Sequence, residues 1–141
     1  MQICRKHLLI LSVFLLLGAG GMLAQQRLSD KDVEETMENL NEDAEQFRSE
    51  FDSAVSKSPI RNTDQEKQAK ALVAHFQKKT EDMYDDFKDT KKAHHDDLLI
   101  VRNDANKIDK VLSGADPKLN TQWAKVKSEL SMILGAFGIK D

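Results

Sequence analysis

From Val33 onward the larger apolar side chains recur at steps of four and three, at Val33, Met37, Leu40, Ala44, Phe47, Phe51 and Ala54. Three further series keep the same rhythm. They run Ala69, Val73, Phe76, Thr80, Met83, Phe87, Thr90; then His94, Leu98, Val101, Ala105, Ile108, Leu112; then Leu119, Trp123, Val126, Leu130, Ile133, Phe137. An average step of three and a half is the seam period of helices packed side by side at a shallow angle. No stretch beyond the leader keeps a strand's period of two for long. The pattern predicts an all-α chain of four amphipathic helices, over about 29–57, 63–89, 93–113 and 117–137.

The ends of these segments carry start and stop chemistry. Ser29 with Asp32 resembles a capping box with a shortened acid, and Thr63 with Glu66 is a full one, in which the carboxylate should reach back to the Thr63 amide. Asp116 before Pro117 is a cap followed by a first-turn proline, whose missing N–H costs nothing there. Ser56 to Asn62, with Pro59, and Ser113 to Ala115, with Gly114, then read as short connections between antiparallel neighbours.

The middle of the chain leaves two arrangements open. Thr63 to Leu112 has no Gly or Pro, and one helix of that length would extend roughly 75 Å. The seam slips, however, at Thr90, His94 and Leu98, which are two consecutive steps of four apart. A turn in the charge-dense run from Lys88 to Asp97 gives an antiparallel four-helix bundle. Without it, the alternative is a three-helix arrangement with one long central helix, possible as a dimer.

Ahead of the helices stands a different kind of segment. Arg5 and Lys6 precede the apolar run Leu8 to Leu17, and small residues follow up to Ala24, the order of a secretory signal peptide. Residues 1–24 are therefore expected to be a leader, cleaved after Ala24, and the chain an exported, periplasmic protein. The 17-residue apolar stretch Leu8 to Ala24 sits at the lower edge of what spans a bilayer. Inner-membrane anchoring by an uncleaved leader, with the rest facing the periplasm, is the alternative, and the leader is the only route to a membrane.

Removing the leader changes charge and redox chemistry together. Arg5 and Lys6 leave, taking the formal net charge from −3 to −5, so nucleic acid is not an expected partner. Cys4 leaves too, and Gln25 to Asp141 must hold together by apolar packing alone.

Candidate chemistry is sparse. His94 and His95, followed by Asp96 and Asp97, are the residue types that bind zinc, iron or manganese. His94 and Asp97 are the pair that can share a helix face, and they are the metal candidates; the competing reading is a polar turn or solvated helix start. No Glu-x-x-His pair is present to build a di-metal centre. Met37 in Met37-Glu38-Asn39-Leu40-Asn41 is similar to the opening of the periplasmic b-type cytochrome bundle, but Leu119 to Asp141 has no His to complete that ligand set. No glycine-flanked serine, reactive cysteine or phosphate-cradling loop specifies a reaction. No catalytic residue, cofactor or enzymatic activity is expected.

The last segment carries a family likeness. Trp123-Ala-Lys-Val126-Lys-Ser-Glu-Leu130-Ser-Met-Ile133-Leu134-Gly-Ala-Phe137 resembles the closing helix of a family of exported bacterial helical proteins. That helix typically holds a tryptophan, a Val-Arg-like pair, an acid-Leu pair and a final Leu-Ala-x-x-aromatic run. The likeness extends upstream to Phe47-Arg48, Asp52 to Val55, Thr63 to Glu66, Phe76 to Phe87 and Ala105 to Asp109. Lys127 stands where the family favours Arg, and Phe137 where it favours Tyr. The family has no known activity, so the resemblance implies fold and export and assigns no functional residue. The expectation is a non-enzymatic helical bundle acting by protein contact in the cell envelope, through its charged faces or a homo-oligomer. The alternative is a periplasmic bundle that binds a small ligand or a metal.

Overall fold

The computed structural model describes residues 28–140. The leader at 1–24, its cleavage after Ala24, and Cys4 lie outside the described residues. Four helices follow in order: α1 (Asp30–Val55), α2 (Asp64–Thr90), α3 (His95–Val111) and α4 (Pro117–Ala136). No strand is present among the described residues, and no helix there is long and apolar enough to cross a membrane.

Helices α1, α2 and α4 each begin where a side chain satisfies an otherwise orphaned N–H, whereas α3 has no side-chain cap. At α1 the Ser29 hydroxyl accepts from the Asp32 amide at 3.2 Å while the Asp32 carboxylate accepts from the Ser29 amide at 3.1 Å, a complete capping box. At α2 Thr63 caps the Glu66 amide at 3.3 Å. The Glu66 carboxylate reaches one residue further back than the expected Thr63 amide, and accepts from Asn62 N–H instead. Asn62 is in the left-handed region at φ 63°, which swings its N–H toward the helix start. At α4 Asp116 accepts from the Lys118 amide at 2.7 Å, with Pro117 in the first turn.

The chain does reverse between α2 and α3, without glycine. Lys91 takes the left-handed conformation at φ 54° and its N–H closes on the Phe87 carbonyl at 2.8 Å. The Thr90 hydroxyl donates to the Asp86 carbonyl at 2.8 Å and accepts from the Lys92 amide at 3.2 Å. Lys91 Nζ then reaches Glu34 on α1 at 2.6 Å. A left-handed residue with a side chain costs roughly 1–2 kcal/mol relative to its usual conformation, and these local bonds offset it. The turn removes Thr90 and His94 from the seam; both are exposed. The phase slip was thus the end of one stripe and the start of the next.

Neighbouring helices are antiparallel. Along α1 and α2, Glu34 meets Lys91, Arg48 donates to Gln77 at 3.0 Å, and Ser56 accepts from Lys70 at 2.7 Å. Along α1 and α4, Asp43 meets Lys125 and Glu50 meets Lys118. Lys79 to Asp97 joins α2 to α3. The ring order is therefore α3, α2, α1, α4, and the alternative with one long central helix is excluded. Helices α3 and α4 approach over much less backbone than the other neighbours.

The seam residues form one core. Met37, Leu40, Phe47, Phe51, Phe76, Phe87, Leu98, Ile108 and Ile133 are among its most buried side chains. Two seam expectations shift: Val55 is buried where Ala54 is only half-buried, and Ile139 closes the end that Phe137 was expected to close. Gly138, at φ 72°, lets Ile139 N–H bond back to the Leu134 carbonyl at 2.9 Å and Gly138 N–H to Gly135 at 3.1 Å. This is a Schellman ending, which characteristically tucks the following apolar residue against the helix.

Candidate functional site

Trp123 occupies the middle of the bundle and touches every other helix. Its ring lies 4.8 Å from Phe47 of α1 and 5.3 Å from Phe76 of α2, the latter edge-on. Its indole N–H donates to Asp109 of α3 at 2.7 Å. A buried tryptophan keeps its N–H bonded in this way because leaving a buried donor unpaired is costly. Asp109 also holds Lys127 of α4 at 2.9 Å. These ties bridge the thinnest flank of the bundle.

Above them that flank opens into a crevice of about 330 Å³, floored by Ala105, Leu130 and Leu134 and rimmed by Arg102, Asn106, Asp109, Lys127, Ser128 and Ser131. An apolar floor with a polar rim between bundle helices is where small ligands are commonly held, and this volume stands at the small end of such sites. Arg102 is engaged with the Lys140 carbonyl at 3.0 Å. The crevice is thus closed at its charged corners by bonds within the protein.

The α1–α4 seam is more polar. Glu50 accepts from Gln122 at 2.6 Å and pairs with Lys118 at 3.2 Å, and the Gln122 amide, then Lys118 and Gln46, hold its carboxyl below the usual range despite desolvation. Two turns along, Lys125 Nζ lies 2.8 Å from Oδ1 and 2.7 Å from Oδ2 of Asp43. That contact raises the Lys125 ammonium above its ordinary value. Beside it Glu129 is buried, 8% exposed, and its Oε2 has no hydrogen-bond partner. Burial, reinforced by the Asp43 carboxylate within hydrogen-bonding range, pushes Glu129 up to about 7. Two carboxyls with one ammonium cannot both ionise cheaply in such a place.

The outer face of α1 is acidic along its length. Glu35, Glu38, Glu42 and Glu45 are exposed, and beyond Lys31 no exposed base interrupts them within the helix. Arg48 is half-buried against Gln77. By contrast α4 exposes Lys118, Lys125 and Lys127, and its one carboxylate side chain is the buried Glu129. The bundle therefore carries opposite charge on adjoining helices.

The metal candidates both stand at the start of α3. His94 is the N-cap residue of α3, exposed, and makes no side-chain cap bond. Asp97 is committed to Lys79 of α2 at 3.2 Å, and no cluster of three or more His, Cys, Asp or Glu side chains suited to a metal exists among the described residues. His75 sits at the α2–α3 boundary, where its Nδ1 lies 2.5 Å from Oδ2 of the buried Asp104; Lys107 pairs with the other oxygen at 3.0 Å.

The periodicity did not single out Asp104 or Glu129, although it holds a signal for both. Asp104 is three residues after Val101 and four before Ile108; Glu129 is three after Val126 and four before Ile133. An acid at a position that itself satisfies the seam spacing is a candidate for burial. Compared with protein-family models, curated proteins and solved structures, the chain matches none. The likeness to exported bacterial helical proteins rests on the residues quoted for it.

Proposed function

We propose that this is an exported, non-enzymatic helical bundle that works in the periplasm by contact, presenting the acidic outer face of α1 to a basic protein surface in the cell envelope. The observation that carries the reading is the run of exposed Glu35, Glu38, Glu42 and Glu45, which no exposed base of α1 beyond Lys31 interrupts. Same-sign charge along a rigid helix attracts an oppositely charged surface and speeds encounter. It has little use in holding the fold, because exposed ion pairs contribute only about 0–1 kcal/mol. Export is supported by the leader, and the fold likeness of the closing helix agrees with it.

The test is affinity capture from envelope extracts with the wild-type chain and with a variant carrying Glu35→Lys, Glu38→Lys, Glu42→Lys and Glu45→Lys. These side chains face solvent, so the helical circular dichroism should be unchanged. The expected result is a reproducible partner that is lost in the variant and at high salt. Equal recovery by both proteins, or no reproducible partner with a monomeric wild type, would overturn the reading.

A second reading, a small-ligand carrier, is favoured by the α3–α4 crevice rather than by His94 and Asp97. Stoichiometric small molecule or metal in protein purified from the periplasm would establish it against the first.

A further inference from the structure

We propose that Glu129 holds a proton and donates it to Asp43 across the α1–α4 seam, so that the seam is a latch that loosens when the proton leaves. The geometry leaves one partner short. Asp43 Oδ2 forms the ion pair with Lys125 but accepts no hydrogen bond, and Glu129 Oε2 is buried with none. If both groups were carboxylates, two buried acceptors would face each other with no hydrogen between them. A single proton on Glu129 supplies the missing donor and makes an O–H···O⁻ bond, the short and strong charge-assisted kind.

The surrounding charges agree with one proton and no more. On α4 itself Lys125 is the nearest cation, and it is spent on Asp43. From α1, the Asp43 carboxyl lies within hydrogen-bonding reach of Glu129, while Glu42 adds negative charge near Lys125 and Glu50 is engaged by Gln122 and Lys118. From α3, Asp109 and Arg102 act at the other flank of α4, where Asp109 holds Lys127 and the Trp123 indole. Helix α2 lies diagonally across the bundle and makes no backbone approach to α4. Among the described residues, no further cation is therefore aimed at Glu129.

Losing the proton breaks the bond and sets two carboxylates, on the buried Glu129 and the largely covered Asp43, against one ammonium that solvent reaches. Helices α1 and α4 are joined further along by Glu50 with Gln122 and Lys118, so the effect is a local loosening around residues 43 and 129. The inference stands on this seam alone and is independent of which partner meets the α1 face.

The experiment is carbon-detected NMR titration of the Glu129 and Asp43 carboxyl carbons in the protein as purified from the cell, combined with urea unfolding of the wild type and Glu129→Gln. The Gln variant keeps a donor toward Asp43 and does not titrate. The Glu129 carbon should titrate near neutrality, with a response of the Asp43 carbon at the same midpoint. The wild-type unfolding constant should move toward the unfolded form by roughly 30-fold between pH 5.5 and 8.5, about 2 kcal/mol, with that component absent from Glu129→Gln. A Glu129 midpoint in the ordinary carboxylate range, or identical pH dependence of the two proteins, would overturn the proposal. The wild-type titration decides it even if the variant fails to fold.

Discussion

Replacing Trp123 by Phe tests the centre of the bundle, because it removes the bond to α3 while keeping a ring against α1 and α2. Three losses contribute. The indole N–H to Asp109 is a charge-assisted bond of the class worth about 1.5–3 kcal/mol. Asp109 is 39% exposed at its side chain and keeps Lys127, so it is not stranded, and about 1 kcal/mol is the appropriate share. The smaller ring leaves a void of roughly 40 Å³, which at about 24 cal/mol per Å³ adds about 1 kcal/mol. The lost transfer energy of the missing atoms adds about another 1 kcal/mol. The sum is about 3 kcal/mol, a large part of a domain's usual stability of about 5–15 kcal/mol. Urea unfolding followed by helical circular dichroism measures it without depending on tryptophan emission. A double-mutant cycle with Asp109→Ala should return about 1 kcal/mol of coupling. A loss below about 0.5 kcal/mol, as for ordinary surface substitutions, or zero coupling, would refute the reasoning.

Other expectations follow from single features. Hydrogen bonds hold the carboxyls of Asp32 (from Ser29), Glu50 (first from Gln122) and Glu66 (first from Lys70, then Asn62) below their ordinary values. Their stabilisation is present above the unfolded carboxylate range and is lost as pH falls through the lowered values; Glu129, raised, acts in the opposite sense and loses its contribution as pH rises toward and through about 7. The urea midpoint should therefore peak in mildly acidic buffer, and Glu66→Gln should flatten the acid limb. Gly114 is at φ 85° with nothing near its Cα to meet a side chain, so Gly114→Ala should cost about 1–2 kcal/mol from conformation alone. Thr63→Ala removes the α2 cap and should cost about 1 kcal/mol by the same assay.

The seam was legible because burial in an antiparallel bundle repeats with the helix. Met37, Leu40, Phe47, Val73, Phe76, Val101, Val126 and Ile133 stand where the three-four spacing puts them. Caps were legible because they are local. The α2–α3 reversal was traceable to a ten-residue run but not to Lys91, since a left-handed lysine carries no compositional mark. Ile139 was missed because a stripe read at fixed spacing ends at Phe137, whereas a Schellman turn folds the chain back; Gly138 followed by an apolar residue was the available sign. The pairing of Glu129 with Asp43, and of Asp104 with His75, depends on which helices become neighbours. The spacing holds a signal that Glu129 and Asp104 can join the seam, and it says nothing of what they would meet. The α3–α4 crevice is likewise a property of how far two helices stand apart.

The central claim is that the four stripes close on Trp123 within one chain. Nuclear Overhauser cross-peaks from the Trp123 indole protons should appear to the rings of both Phe47 and Phe76, whose centroids lie 4.8 and 5.3 Å away. In a mixture of differently labelled molecules they should arise only within a molecule. Absence of these cross-peaks, or their appearance only between molecules, would contradict the bundle.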